Sequence, residues 1–200
     1  VEGKTIYIDP YSGKYSKKAD LILVTHSHSD HYSVAKIKSV RGADTVVFAP
    51  EDCVKKIKGP VKTLDVGEEA KVDSIKVKAV DAYNIKRFRS PRNPFHPKAF
   101  GVGYLMTALG KTVYHAGDTD FIPEMKQLGH VDVALLPSGG TYTMDNAEAA
   151  DAALAINPLV VIPMHRWDTK PDEFKEKVEA SLSIRVVLLK RNEEYQVVRE

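Results

Sequence analysis

Short apolar runs alternate with helical patterns along the whole chain, and this alternation predicts an α/β layered fold. The 200 residues are 43% hydrophobic and 28% charged, the make-up of an ordinary globular protein able to bury a full-sized core. Each cluster of polar, ligand-type residues directly follows a β-type run, which is where α/β folds gather their sites. No internal repeat or low-complexity linker interrupts the sequence, so one domain over residues 1–200 is expected.

In chain order, strands are expected at residues 5–8, 21–25, 45–49, 75–80, 101–108, 112–115, 132–136, 159–163, 185–189 and 195–198. Helices are expected at 34–40, 51–56, 123–128, 146–156 and 171–181. Asp145 can cap the fourth helix, with Glu148 three residues later as in a capping box. Pro171 falls in the first turn of the fifth, where its missing N–H costs nothing. Residues 83–98 hold three prolines and no period, and read as a long irregular loop of the kind that carries function.

Several classes are disfavoured at once. No run of 18 apolar residues exists, so a membrane-spanning helix is not expected. Val1-Glu2-Gly3-Lys4 lacks the layout of a signal peptide, and the lone Cys53 suits a reducing cytoplasm. A net charge of +2 argues against a dedicated nucleic-acid binder. The local exception is the basic run at 86–92, which suggests a small anionic substrate met by Arg87 and Arg89. A solvated charge run is the plain alternative, and the sequence leaves a homo-oligomer open.

The chemistry concentrates in Thr25-His26-Ser27-His28-Ser29-Asp30-His31. Three histidines and an aspartate within six positions arise by chance in such a composition on the order of once in 10³ chains. Histidines at i and i+2 on an extended segment point the same way, so His26 and His28 can meet one ion. The chain then turns, and Asp30 with His31 can face a second. Imidazole with carboxylate suits zinc, iron or manganese rather than calcium. A hydrogen-bonded His-rich turn without metal is the bland alternative. In His115-Ala116-Gly117-Asp118-Thr119-Asp120, Gly117 lets the backbone approach a site and Asp118 can bridge two cations, although such sequences are also common in turns. His165 closes the run Val161-Ile162-Pro163-Met164-His165, a weak signal alone that gains weight as the third strand end with a metal-competent side chain.

This motif series, T-H-x-H-x-D-H, H-A-G-D-T and I-P-M-H, resembles the metallo-β-lactamase superfamily. It is most similar to the small metal-dependent hydrolase branch related to ascorbate-phosphate lactonases and N-acyl phosphatidylethanolamine phospholipase D enzymes. Residues 5–10, ending in Asp9-Pro10, and residues 136–144 share the likeness, which covers essentially the whole chain. The resemblance implies a four-layer αβ/βα sandwich with metals in a groove at one edge. It assigns His26 and His28 to a first metal, Asp30, His31 and His165 to a second, and Asp118 to the bridge. Asp9 is expected beneath the histidine turn, and His115 is expected to orient a ligand or water rather than bind metal.

The chain departs from the family pattern twice. Tyr83, in Val80-Asp81-Ala82-Tyr83-Asn84, stands where most members place a further histidine for the first metal. His96, in Asn93-Pro94-Phe95-His96-Pro97-Lys98, is expected to fold back and fill that position. Members usually open with a further strand and a Gly-His turn, neither of which precedes Thr5 here.

The expected activity is metal-dependent hydrolysis, with a metal-activated hydroxide attacking an ester, lactone or phosphodiester. Two divalent ions are called for, zinc first, with manganese or iron as alternatives. Asp30 or His31 is expected to shuttle the proton, and Tyr83, Tyr142 and Trp167 to line the groove. The alternatives are a nuclease of the same fold, an iron-dependent redox protein, and a metal-binding module without turnover.

Overall fold

Four consecutive buried residues, Leu21, Ile22, Leu23 and Val24, set the layers of this fold. Side chains alternate across a strand, so Leu21 and Leu23 face one way while Ile22 and Val24 face the other. The computed structural model describes residues 3–181 and 183–197.

Strands β1 (Ile6–Ile8), β2 (Ala19–Leu23) and β3 (Arg41–Phe48) form a parallel sheet in that order. Parallel neighbours need a crossover, supplied between β2 and β3 by α1 (Val34–Val40), whose N-cap Ser33 accepts from Lys36 N–H. One helical turn, α2 (Glu51–Val54), follows β3. Then come β4 (Glu69–Val72), β5 (Ile75–Ala82), a small hairpin of β6 (Phe88–Ser90) and β7 (Asn93–Pro94), β8 (Gly101–Ala108) and β9 (Lys111–His115). A 3-10 turn at Pro123–Gln127 leads to β10 (Val133–Pro137), α3 (Asn146–Ile156), β11 (Val160–Met164), α4 (Asp172–Glu179) and β12 (Arg185–Val186). The second sheet has seven strands ordered β12-β11-β10-β9-β8-β5-β4, parallel from β9 to β12 and antiparallel from β9 to β4.

Three apolar layers join these elements into an αβ/βα sandwich. Leu21, Leu23 and Phe48 of the small sheet meet Val77, Val102 and Tyr104 of the large one. The other face of the small sheet, with Ile22, Val24 and Val47, takes Ile37 and Val40 of α1 and Cys53 of α2. On the far side, Ala134, Leu136 and Val161 receive the alanine face of α3 and Phe174 and Val178 of α4. Alanine at 149, 150, 152 and 153 leaves no side chain to hold α3 away from the sheet.

Two contacts lock the end of β2 onto the large sheet: Val102 N–H donates to the Thr25 carbonyl at 2.9 Å, and the buried Tyr104 hydroxyl to the Val24 carbonyl at 2.8 Å. Gly101 is required there, because a Cβ on it would lie 2.9 Å from the Cβ of His26. The C-terminal ends of β1, β2, β5, β9 and β11 thereby open on one edge of the sandwich.

Several expected elements differ in detail. Residues 195–197 are not a strand; Tyr195 instead packs on Val133, Val160 and Ile162, and residue 198 lies outside the described residues. Residues 51–56 and 123–128 shrink to one α-helical turn and a 3-10 turn. β4 was not expected, since its four residues alternate two exposed charges with two half-buried side chains; those charges suit a sheet edge. Only half of the capping box forms: Asp145 accepts from Glu148 N–H at 2.9 Å, but the Glu148 carboxylate turns to Phe121 N–H and Arg87.

Leu21→Ala, at the centre of the layer between the sheets, is expected to destabilise the chain by about 2–5 kcal/mol in urea denaturation, because the facing sheets cannot close over the lost volume.

Candidate metal centre

After β2 the chain runs on to His26, bends at Ser27 and His28 and then turns tightly, with the N–H groups of His31 and Tyr32 both donating to the His28 carbonyl. This course places the rings of His26 and His28 side by side, 4.8 Å apart between centroids. The turn brings His31 back over His26, with centroids 4.1 Å apart.

Asp9 organises this turn from below. Its Oδ1 accepts Thr25 N–H at 2.7 Å, and its Oδ2 accepts the Thr25 hydroxyl at 2.6 Å and stands 2.7 Å from His31 Nδ1. A carboxylate only accepts, so His31 donates from Nδ1 and aims Nε2 inward, 3.4 Å from Asp118 Oδ1. The Thr25 hydroxyl, its hydrogen given to Asp9, accepts from His26 Nδ1 at 2.9 Å and leaves His26 Nε2 free. One acid thus sets which nitrogen each of two imidazoles offers.

The third imidazole beside His26 and His28 comes from the 83–98 segment. Asn84 Oδ1 accepts both the backbone N–H and Nδ1–H of His96, each at 2.8 Å. His96 Nε2 then faces His28 Nδ1 at 3.1 Å. The Asn84 amide donates in turn to Asp120 Oδ1 and to the Tyr142 carbonyl. Asp120 is fully buried, and its Oδ2 accepts the consecutive N–H groups of Ile85, Lys86 and Arg87 at 2.7, 2.6 and 3.2 Å. The segment expected as an irregular loop is therefore pinned at its start by one carboxylate and continues as the β6–β7 hairpin. Asn84 and Asp120 carry no local sequence signal for this role, since they lie 36 residues apart.

Asp118, from the turn after β9, stands between two groups of ligand atoms. Its Oδ2 is 3.4 Å from His96 Nε2 and 3.6 Å from His165 Nε2, while its Oδ1 faces His31. His165 Nε2 is also 3.4 Å from Asp30 Oδ2. Among the described residues three groups could hold an ion, His26-His28-His96, His26-His31-Asp118 and Asp30-His31-His165, each with ligand atoms within 4.8 Å of one another.

The donor set fits divalent transition metals. His26 Nε2 is buried without a hydrogen bond, and His31 Nε2 and Asp118 Oδ1, also buried, have only each other at 3.4 Å, an arrangement costly in a protein unless a further group satisfies them. Two imidazoles on one tetrahedral ion at about 2.0–2.1 Å stand about 3.3 Å apart, close to the 3.1 Å between His28 and His96. Burial pushes His26 down to about 3 and His96 to about 4, so both present neutral lone pairs near pH 7. Burial opposes charge on His31 as well, but the bonds and charges of Asp118 and Asp9 outweigh it and raise His31 to about 11, so a metal bound at its Nε2 would displace the proton His31 holds there against Asp118. Asp118 is held well below the usual carboxylate range, because His31 and the neighbouring imidazoles outweigh the burial that opposes its charge. Such a concentration of negative charge attracts cations.

Residues 1–165 match the β-lactamase superfamily domain. A UPF0173 metal-dependent hydrolase of Methanoculleus marisnigri is 35% identical over 206 residues, spanning 97% of this chain and 90% of that protein. The chain belongs to this family of metal-dependent hydrolases within the metallo-β-lactamase superfamily. A crystal structure described as a candidate metal-dependent hydrolase from Parabacteroides distasonis is 39% identical, covers 92% of this chain and 83% of its own, and superposes with a TM-score of 0.85. A metallo hydrolase from Ignicoccus hospitalis, 29% identical, covers 98% and 93% with a TM-score of 0.77.

In this hydrolase a groove of about 490 Å³ opens directly on the imidazole cluster, lined by His28, Asp30, Arg89, Phe95, His96, Asp118, Tyr142 and Trp167. Arg89 faces the groove: its guanidinium lies over the Phe95 ring, with Nη2 3.3 Å from His28 Nε2. Arg87 does not. Its guanidinium turns away into Asp120, Asp145, Glu148 and the Gly140 carbonyl, where acceptors occupy its donors. Tyr83 also points elsewhere: its hydroxyl donates to Glu124 and its ring lies under Lys98, although its backbone binds Thr119. His115 belongs to none of the three groups, and its Nδ1 accepts Gly117 N–H. No helix among the described residues is long and apolar enough to cross a membrane.

Asp120→Ala strips the acceptor from three backbone N–H groups and one buried guanidinium. It is expected to cost roughly 3–5 kcal/mol in chemical denaturation, with hydrogen exchange accelerated first at residues 84–96.

Proposed function

We propose that this hydrolase holds two divalent ions, zinc first with manganese or iron as alternatives, and cleaves an ester, lactone or phosphodiester of a small anionic molecule. His26, His28 and His96 would hold the first ion and Asp30, His31 and His165 the second, with Asp118, which stands between the two groups, available to both. The observation that carries this reading is the convergence of these seven side chains in three overlapping groups of ligand atoms, with His26 Nε2 buried and unbonded and His31 Nε2 and Asp118 Oδ1 buried with only each other. Two such ions supply Lewis acidity for the scissile group and acidify a water toward neutral pH.

The chain's own residues do the rest. Asp9 fixes His31 and, through Thr25, His26 in the tautomers that present Nε2. Of Asp30 and His31, the two candidates to move a proton, Asp30 is favoured: it lines the groove half-exposed, whereas His31 has Nδ1 bound to Asp9 and Nε2 turned to the centre. Arg89 supplies the positive charge that attracts an anion. The likeness of the motif series to lactonases and phosphodiesterases of the superfamily supports this choice of bond. The lone buried Cys53 supports a reducing, cytoplasmic setting.

Elemental analysis of purified protein is expected to find about two ions per chain, falling toward one in His96→Ala. One ion in both proteins would remove His96 from the centre. No metal after reloading with zinc, manganese or iron would overturn the hydrolase reading for this chain. A chelator is expected to abolish turnover of a panel of esters, lactones and phosphodiesters, and added metal to restore it; metal binding with no turnover across that panel would favour a binding module.

Asp9→Asn keeps the volume but lets an amide face Thr25 and His31. Metal affinity is expected to fall about 10- to 100-fold by competition with a chromogenic chelator, while the far-ultraviolet circular dichroism stays unchanged.

A further inference from the structure

The rim of the groove carries the protein's sole tryptophan, Trp167, 61% exposed beside a 40% exposed Tyr142. Two large exposed rings side by side on one groove form an apolar patch, and such patches mark binding sites. Trp167 and His165 both adopt left-handed backbone, at φ +49 and +48, which is strained for residues with a Cβ. The turn is held in that shape by Thr169, whose N–H donates to the Arg166 carbonyl at 2.9 Å and whose hydroxyl, with a single hydrogen to give, lies 2.7 and 3.1 Å from the carbonyls of Arg166 and Ser138. It also needs Gly139, where a Cβ would lie 2.5 Å from the His165 carbonyl oxygen and 2.6 Å from Trp167 Cδ1. The fold accepts strain at the residue that could hold the last ligand of the centre and at the ring two positions on.

The ring so placed borders the reacting region. Trp167 packs edge-on against His165 at 5.3 Å between centroids and against Tyr142 at 6.3 Å, and Tyr142 meets Phe95 at 4.8 Å. Arg89 lies over Phe95 on the same groove. Aromatic faces left open to solvent bind flat π-systems. A guanidinium recognises phosphate or carboxylate oxygens.

We propose that Trp167 and Tyr142 form a stacking platform and Arg89 an anion clamp, so that the substrate is an anionic ester bearing a planar unsaturated ring. This rests on the hydrolase reading of the same groove and assigns its substrate class. Trp167 is a specificity determinant that touches the part of the substrate remote from the scissile bond.

Phenylphosphonate and methylphosphonate, whose C–P bonds resist hydrolysis, separate ring from anion. Both are titrated into zinc-loaded and into chelator-treated protein, following Trp167 emission and heat. Phenylphosphonate is expected to bind about tenfold more tightly than methylphosphonate in both forms and to change the emission. In calorimetry Trp167→Leu brings the two affinities together, Trp167→Phe keeps most of the preference, and Arg89→Gln weakens both ligands alike. Equal affinity of the two phosphonates for the unaltered chain overturns the platform, as does a ring preference that survives in a Trp167→Leu, Tyr142→Leu double variant. The preference is read without metal as well as with it, so its loss is distinct from a failure to bind metal, which would overturn the hydrolase reading instead.

Discussion

Asp9 must satisfy three donors at once, and the rest of the centre follows from how it does so. A carboxylate under Thr25 and His31 can only accept, which leaves both donating downward and fixes the nitrogens presented upward. Because the Thr25 hydroxyl has one hydrogen, the constraint passes on to His26. The left-handed backbone of Asp9, φ +47, and its N–H bond to the Leu23 carbonyl place that carboxylate under the turn. The small parallel sheet is therefore the support of the histidine turn as well as a layer of the core.

The layer order and the first-order site were legible in the sequence because both depend on local pattern. Alternation in residues 21–24 and the T-H-x-H-x-D-H series are properties of neighbours in the chain, and the structure places those residues where alternation puts them. What escaped was whatever depends on partners far apart. Nothing near Arg87 announces that its charge is met by Asp120, Asp145 and Glu148, 33 to 61 residues away. A basic run reads the same whether it faces a ligand or the protein's own acids. Asn84 and Asp120 were missed for the same reason, and the 83–98 segment looked aperiodic because a buried carboxylate orders it rather than a ladder of strand bonds.

The two sides of the centre are built with different materials. His26, His31, Asp118 and His165 leave strand ends that lie within the packed layers, and the glycines at 101 and 117 let those ends approach within bonding range of backbone. Gly117, at φ +65, would put a Cβ 2.8 Å from the Val102 carbonyl oxygen. His96 instead lies just past a short hairpin whose strands are mostly exposed, and Asn84 ties it back to the site.

That asymmetry divides the centre into parts of unequal persistence. Segments with few buried apolar contacts open far more often than the core does, without disturbing it. If the 84–96 segment opened, the bonds of Asp120 to residues 85–87 and of Asn84 to His96 would break, and one of the three imidazoles of the first group would leave with it, while the group formed by Asp30, His31 and His165 would keep every member. The cluster is thus graded, with one half held by the strand ends of the sandwich and the other by the hydrogen bonds of a single segment.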